Sequence, residues 1–182
     1  KSLEKATVIY REIKDQASEA MALKAIAEVY ANVGPLDRAL DFLEKSLLIQ
    51  KKRGEASGQI ATLTQLAHVY ELLGQYQRSL DCYQTALDLS KRLEDKRTPA
   101  SLLNAIGRAK MAMGHTHEAL KLLESSLASQ REIDDWGSSA RTIHDLITVR
   151  IGWGQYAWAI ELCDSEIEKR KAQIGRASCR ER

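Results

Sequence analysis

Two periods overlie one another along the chain. Over residues 63–73, Leu63, Leu66, Ala67, Tyr70 and Leu73 step at i, i+3, i+4, i+7 and i+10, the spacing that gathers apolar side chains onto one stripe of an α-helix. Beyond Gly74 a second stripe follows, made of Tyr76, Leu80, Tyr83 and Leu87 with Ser79 and Ala86 on the same side. The longer period is forty residues. Leu23, Leu63, Leu103 and Ile143 fall in one column, Ile26, Leu66, Ile106 and Leu146 in another, and Gly34, Gly74, Gly114 and Gly154 in a third. The stretch "LLGQY" at 72–76 returns eighty residues later as "GWGQY" at 152–156. Each unit predicts a helix, a tight turn at glycine and an antiparallel second helix. The chain as a whole predicts an all-α solenoid of such pairs.

Where the two stripes of a unit meet, small residues recur. Ala27, Ala67 and Gly107 on the first helices answer Ala39, Ser79, Ala119 and Ala159 on the second, and Ser46, Ala86 and Ser126 make a further small column. Between units the chain resets at "RGEASG", "KRTPAS" and "DDWGSSA". There Gly54 and Gly137 suit helix ends, and Thr98 followed by Pro99 suits an N-cap with proline at the first helical position. The boundaries that follow are repeats at 17–56, 57–96 and 97–136 and a degenerate repeat at 137–173. Residues 1–16 read as the second helix of a truncated preceding repeat, because Leu3, Ala6 and Ile9 match Leu43, Ser46 and Ile49. In the last repeat Ile147 replaces the small residue, Arg150 the tyrosine, and Glu166 an Ala or Ser at a column expected to be buried. A charge there is costly unless the next helix is absent or supplies a partner, and an atypical repeat suits the end of an array.

The column set resembles the tetratricopeptide repeat, carried in the second unit by Leu63, Leu66, Ala67, Tyr70, Gly74, Tyr76, Ser79, Tyr83 and Ala86. Two departures are systematic: the period is forty where the family's is usually 34, and no proline closes the second helix. Such forty-residue arrays resemble those of kinesin light chains, Leu-Gly-Asn-repeat proteins and bacterial regulators, and "LNAIG" at 103–107 is close to the Leu-Gly-Asn flavour. The resemblance implies a right-handed superhelix of antiparallel helix pairs whose concave wall is formed by the first helices and binds a protein or peptide segment. Helical spacing names the residues that turn into that groove. They are Lys24, Glu28 and Asn32, then Thr64, His68 and Glu71, then Asn104 and Arg108, then Arg141 and His144. Asn104 leads, since an amide pairs with both the N–H and the C=O of an extended backbone.

Composition narrows the setting. The 44% hydrophobic and 29% charged content fits a soluble fold, and the 5% aromatic share with two prolines suits helices over sheets. No run approaches the roughly 20 apolar residues of a membrane span and no signal peptide opens the chain, so a cytoplasmic location without a membrane partner is expected. Lys1 is not an initiator methionine, which puts the true N-terminus upstream. The last nine residues, "IGRASCRER" at 174–182, read as the translation of a common sequencing-library adapter, and Gln173 permits the codon that the preceding adapter bases require. Without Arg176, Arg180, Arg182 and Glu181 the formal charge falls from +2 to zero. That removes the basic footprint of a nucleic-acid binder. Cys82 and Cys163 then remain, far apart on apolar faces, as small buried hydrophobes of a reducing compartment.

Little else in the chain carries chemistry. His115 and His117 lie two apart on a turn without a neighbouring Cys or carboxylate cluster, so no metal is expected. Trp153 and Trp158 are expected to pack against a neighbouring repeat. There is no phosphate loop, no G-x-S-x-G elbow, no H-E-x-x-H and no Cys–His pair that the repeat brings together. No catalytic residues and no cofactor are therefore expected. The leading functional expectation is a protein–protein interaction scaffold. Its rival is a ligand-sensing regulatory domain of a multidomain signalling protein that restrains an attached caspase-like protease or DNA-binding effector.

Overall fold

Within each repeat the chain reverses at a glycine held at positive φ, and between repeats it restarts at an acidic residue. The computed structural model describes the backbone of residues 2–180 and the side chains of residues 5–172. Those residues form nine helices and no strand: α1 (Ser2–Glu12), α2 (Gln16–Val33), α3 (Leu36–Arg53), α4 (Ala56–Leu72), α5 (Tyr76–Ser90), α6 (Arg97–Ala112), α7 (Thr116–Glu132), α8 (Trp136–Gly152) and α9 (Tyr156–Arg180). Helices α2/α3, α4/α5, α6/α7 and α8/α9 form four successive hairpins, and α1 packs on α2 as α3 does on α4. The side chains of Leu3 and of residues 174–182 lie outside those described. Among the described residues no helix is long and apolar enough to cross a membrane.

At the hairpin turns Gly34, Gly74, Gly114 and Gly154 all take positive φ, between 70° and 122°, a conformation that a Cβ strains. Between repeats the column Asp15, Glu55, Asp95, Asp135 stands at the start of each new first helix. The Ser18 and Ser138 amides donate to Asp15 and Asp135 at 3.1 and 3.2 Å. Asp95 accepts from the Arg97 and Thr98 amides at 2.8 and 3.2 Å and from the Thr98 hydroxyl. Hydrogen bonds from these groups hold all three carboxyls below the usual aspartate value. The expected Thr98 cap is therefore corrected: α6 begins at Arg97, with Thr98 and Pro99 in its first turn. A carboxylate reaching two amides at once satisfies more of the open helix end than one hydroxyl does.

The small column sets how closely the helices of a pair approach. Ala27 and Ala39, Ala67 and Ser79, and Gly107 and Ala119 are buried where those pairs cross. At Gly107 a Cβ would come within 2.9 Å of the buried Leu123 Cγ, so this position admits no side chain without displacing the core. A second column ties the two helices together at their turn ends. The Arg38 and Arg78 guanidinium groups sit 5.7 and 5.8 Å from the Tyr30 and Tyr70 ring centres, and Lys110 pairs with Glu118 at 3.0 Å.

The fourth repeat departs as its sequence implies. Ile147 occupies the small column and α8 packs against α9 more loosely than the other helices pack against their hairpin partners. Arg150, in the tyrosine column, lies 4.5 Å from the Trp158 ring centre and donates to Glu124 at 2.9 Å. Glu166 is buried and its carboxylate accepts from Arg131 and, at 2.8 Å, from Lys169. The partner foreseen from a following helix thus comes from the preceding α7 and from the next turn of α9 itself. Burial pushes the Glu166 carboxyl up, but hydrogen bonds and charge from Lys169 and Arg131 outweigh it and leave its pKa below the ordinary 4.5.

Two outcomes are expected. Ala67→Leu overpacks the α4/α5 crossing and lowers stability by about 1–3 kcal/mol, read as a lower melting temperature; an unchanged value would mean that the repeat register is misplaced. A carboxyl with a depressed folded pKa stabilises fully above its unfolded value and loses that contribution as pH falls through the folded one. The gap in melting temperature between wild type and Glu166→Gln should therefore be open at pH 7 and close as pH falls below 4.5.

Candidate partner-binding groove

The inner face of the solenoid is identified by which helices touch across repeats. First helices α2 and α4, and α6 and α8, approach one another across repeats, and residues of α4 and α6 border a shared cavity. The first helices therefore lie inside the curve, and their free stripes line its wall. Glu28, Asn32, His68 and Leu72 border a cavity of about 210 Å³ between α2 and α4. His68, Glu71, Leu72 and Arg108 border one of about 280 Å³ between α4 and α6. His68 and Leu72 belong to both, so the two cavities lie on either side of α4 along one trough-like face.

Most of the expected residues reach this wall. Glu28, Asn32, His68, Arg108, Arg141 and His144 are exposed, and Lys24, Thr64 and Glu71 are half-buried. Glu71 is held in place by the His68 Nδ1 at 3.7 Å and by the Ser79 hydroxyl, which donates at 3.5 Å. Arg108 and Arg141 carry positive charge on the α6 and α8 part of the wall, while Glu28 and Glu71 carry negative charge on the α2 and α4 part. Leu72, 52% exposed at the junction of the two cavities, adds an apolar surface between them.

Asn104 does not present a free amide. It is 7% exposed, and its Nδ2 donates to Thr142 Oγ1 at 3.2 Å and to Asp145 Oδ2 at 3.0 Å. The Thr142 hydroxyl in turn donates to Gln130 Oε1 at 2.9 Å. The amide expected to grip a partner's backbone instead bridges α6 to α8. Spacing gave its direction correctly but not the proximity of α8, which carries two acceptors facing it. Gln65 and Tyr76 also line the trough and were not anticipated. Gln65 lies three residues before His68 and seven before Leu72, which is the signal that places it on their face.

Other candidate groups have local partners. His117 packs against Trp153 with ring centres 4.9 Å apart, and His115 Nδ1 lies 3.7 Å from Glu118. Trp153 thus has a contact on the neighbouring third repeat and Trp158 one within its own hairpin. Among the described residues no group of three or more His, Cys, Asp or Glu side chains is placed to hold a metal ion. Cys82 and Cys163 are free and half-buried, less enclosed than expected, and burial pushes the Cys82 thiol up.

Known proteins were then compared with the chain. Among curated proteins, no significant sequence match was found. Solved structures with the same arrangement include BtubC (BKLC) from P. vanneervenii, at 22% identity and TM-score 0.77, over 96% of this chain and 75% of that one. A Rap protein complexed with competence and sporulation factor matches at 20% identity and TM-score 0.73, over 82% of this chain and 42% of that one. A signal transduction ATPase with numerous domains and a tetratricopeptide repeat sensor, from Pyrococcus horikoshii, matches at 15% identity and TM-score 0.76, over 90% of this chain and 26% of that one. At these identities the likeness is one of fold. The tetratricopeptide-repeat family profile matches residues 18–92 and 58–132, which together are more than half of the chain, and the chain belongs to the tetratricopeptide-repeat family.

Proposed function

We propose that the chain is a protein–protein interaction scaffold whose trough along α2, α4, α6 and α8 holds a peptide or helical segment of a partner protein. The observation that carries this reading is a pair of neighbouring cavities along one face, both bordered by His68 and Leu72, with unlike charges toward the two ends of that face. A segment lying there gains apolar burial at Leu72 and charge complementarity toward Arg108 and Arg141, which sets orientation and encounter rate more than raw affinity. The Rap structure solved with a bound factor lends support by analogy. A sensing role uses the same trough, and similarity to an array described as a repeat sensor favours it as the second reading. In that case the occupied trough biases an attached effector domain.

The test is a peptide library selected on the chain, with recovered segments titrated against variants. Arg108→Glu with Arg141→Glu should weaken their binding at least about tenfold, about 1.4 kcal/mol, with the helical circular dichroism unchanged because both side chains are exposed. Reversal of two exposed lysines on the outer helices, Lys52→Glu with Lys121→Glu, should leave binding intact. Equal losses in the two double variants would mean that the trough is not where segments dock.

A further inference from the structure

The junction between the second and third repeats is built differently from its neighbours. From repeat 1 to repeat 2, the Thr62 hydroxyl donates to Gln50 Oε1 at 2.8 Å in a buried bond, and from repeat 3 to repeat 4 Thr142 does the same to Gln130 at 2.9 Å. The matching pair between repeats 2 and 3 is Ser90 and Leu102, which cannot make that bond; the Ser90 hydroxyl donates to its own helix at Leu87 O. Helix α5 stops at Ser90, and six irregular residues, Lys91–Lys96, precede α6.

What fills this space elsewhere is absent here. Between α6 and α8 it is closed by Asn104 bonded to Thr142 and Asp145. Between α2 and α4 the same three columns hold Lys24, Thr62 and Gln65. Between α4 and α6 they hold Thr64 and Ala105, which are shorter than their counterparts, and Leu102, which is apolar where the others are threonine. The result is a cavity of about 640 Å³ walled by Ile60, Ala61, Thr64, Leu93, Leu102 and Ala105. That volume falls in the range of small-molecule sites, which are mainly apolar with a few polar groups. The charged groups at its rim already have partners within the chain. Asp95 is engaged by the first amides of α6, and Arg97 lies 3.5 Å from Asp135.

We propose that this cleft between α4 and α6 is a binding site for a neutral, mainly apolar small molecule. The apolar wall supplies the affinity, the hydroxyl of Thr64, which donates to Ile60 O at 2.8 Å, supplies an acceptor, and the rim charges are engaged by partners of their own. An occupant packs against Leu93 and braces a connection that, unlike those on either side of it, lacks a buried Gln–Thr bond. The cleft adjoins the trough, since Thr64 stands on both walls.

The test is a fluorescence titration of the full chain with N-phenyl-1-naphthylamine, a neutral apolar probe. Binding should saturate with a blue-shifted rise in emission. Filling the cleft with Ala61→Leu and Ala105→Leu should weaken it at least about tenfold. Ala112→Leu, in the neighbouring cavity beside Arg108, should leave it unchanged. Circular dichroism checks that the filled variant folds. If it does not, hydrogen exchange of the wild-type chain decides: the probe should slow the amides of residues 91–98. No saturable binding, equal affinity in wild type and filled variant, loss in Ala112→Leu, or no protection at 91–98 would each overturn the assignment.

Discussion

Close approach of two helices at a pair of small residues is the constraint on which this array rests. At Ala27/Ala39, Ala67/Ser79 and Gly107/Ala119 the side chains are buried and leave the backbones little to separate them. That proximity brings Tyr30 under Arg38, Tyr70 under Arg78 and Lys110 beside Glu118 eight residues along the chain, across the turn. It also turns the opposite stripe of each first helix toward the inside of the curve, where the trough runs. Where Ile147 takes the small place, α9 packs more loosely on α8. Interiors at crystal-like density do not absorb extra methylenes without moving an element.

Contacts between repeats follow a longer rhythm. Ser46 donates to Ala20 O and Ser126 to Ala100 O inside repeats 1 and 3, and the Gln–Thr bonds join repeat 1 to 2 and repeat 3 to 4. Both features recur at eighty residues rather than forty, matching the eighty-residue return of "LLGQY" as "GWGQY". The array is thus two two-repeat units, each tied internally by buried polar bonds, meeting at an apolar junction. A buried hydrogen bond with both partners satisfied fixes geometry more sharply than apolar contact does, because misalignment strands two desolvated groups. Solenoid stability is a sum of such nearest-neighbour terms, and between repeats 2 and 3 that sum lacks the buried Gln–Thr bond found on either side.

The fold was legible in the sequence because its determinants are local or strictly periodic. The glycine column, the small columns and the two apolar stripes each follow from spacing alone, and the helix pairs stand where those columns put them. The acidic column Asp15, Glu55, Asp95, Asp135 was equally readable, but Thr98–Pro99 offered a competing cap that the Asp95 carboxylate overrides. The groove was only half legible. Spacing fixes the direction in which a side chain leaves its helix, and so identified Glu28, His68 and Arg108 on the wall. It does not fix how near the next helix comes, and Asn104 is buried because Thr142 and Asp145 wait opposite. The cleft between α4 and α6 escaped altogether, because no single helix encodes it. It emerges only when the same three columns are compared across successive junctions.

Degeneracy of the fourth repeat is a property of its letters more than of its physics. In the column that ties each hairpin, repeats 1 and 2 place an aromatic ring on the first helix and an arginine on the second. Repeat 3 substitutes an ion pair. Repeat 4 reverses the first arrangement, with Arg150 on the first helix and Trp158 on the second, and brings the guanidinium closest to its ring at 4.5 Å. A cation over an aromatic face is attractive whichever helix supplies it, so the exchange keeps the tie while losing the consensus tyrosine. Glu166 follows the same logic: a charge in a small, buried column persists because Arg131 from α7 and Lys169 from α9 both reach it. Consensus columns record the residues most often used to make a contact, and the contact itself survives wherever a physically equivalent pair takes its place.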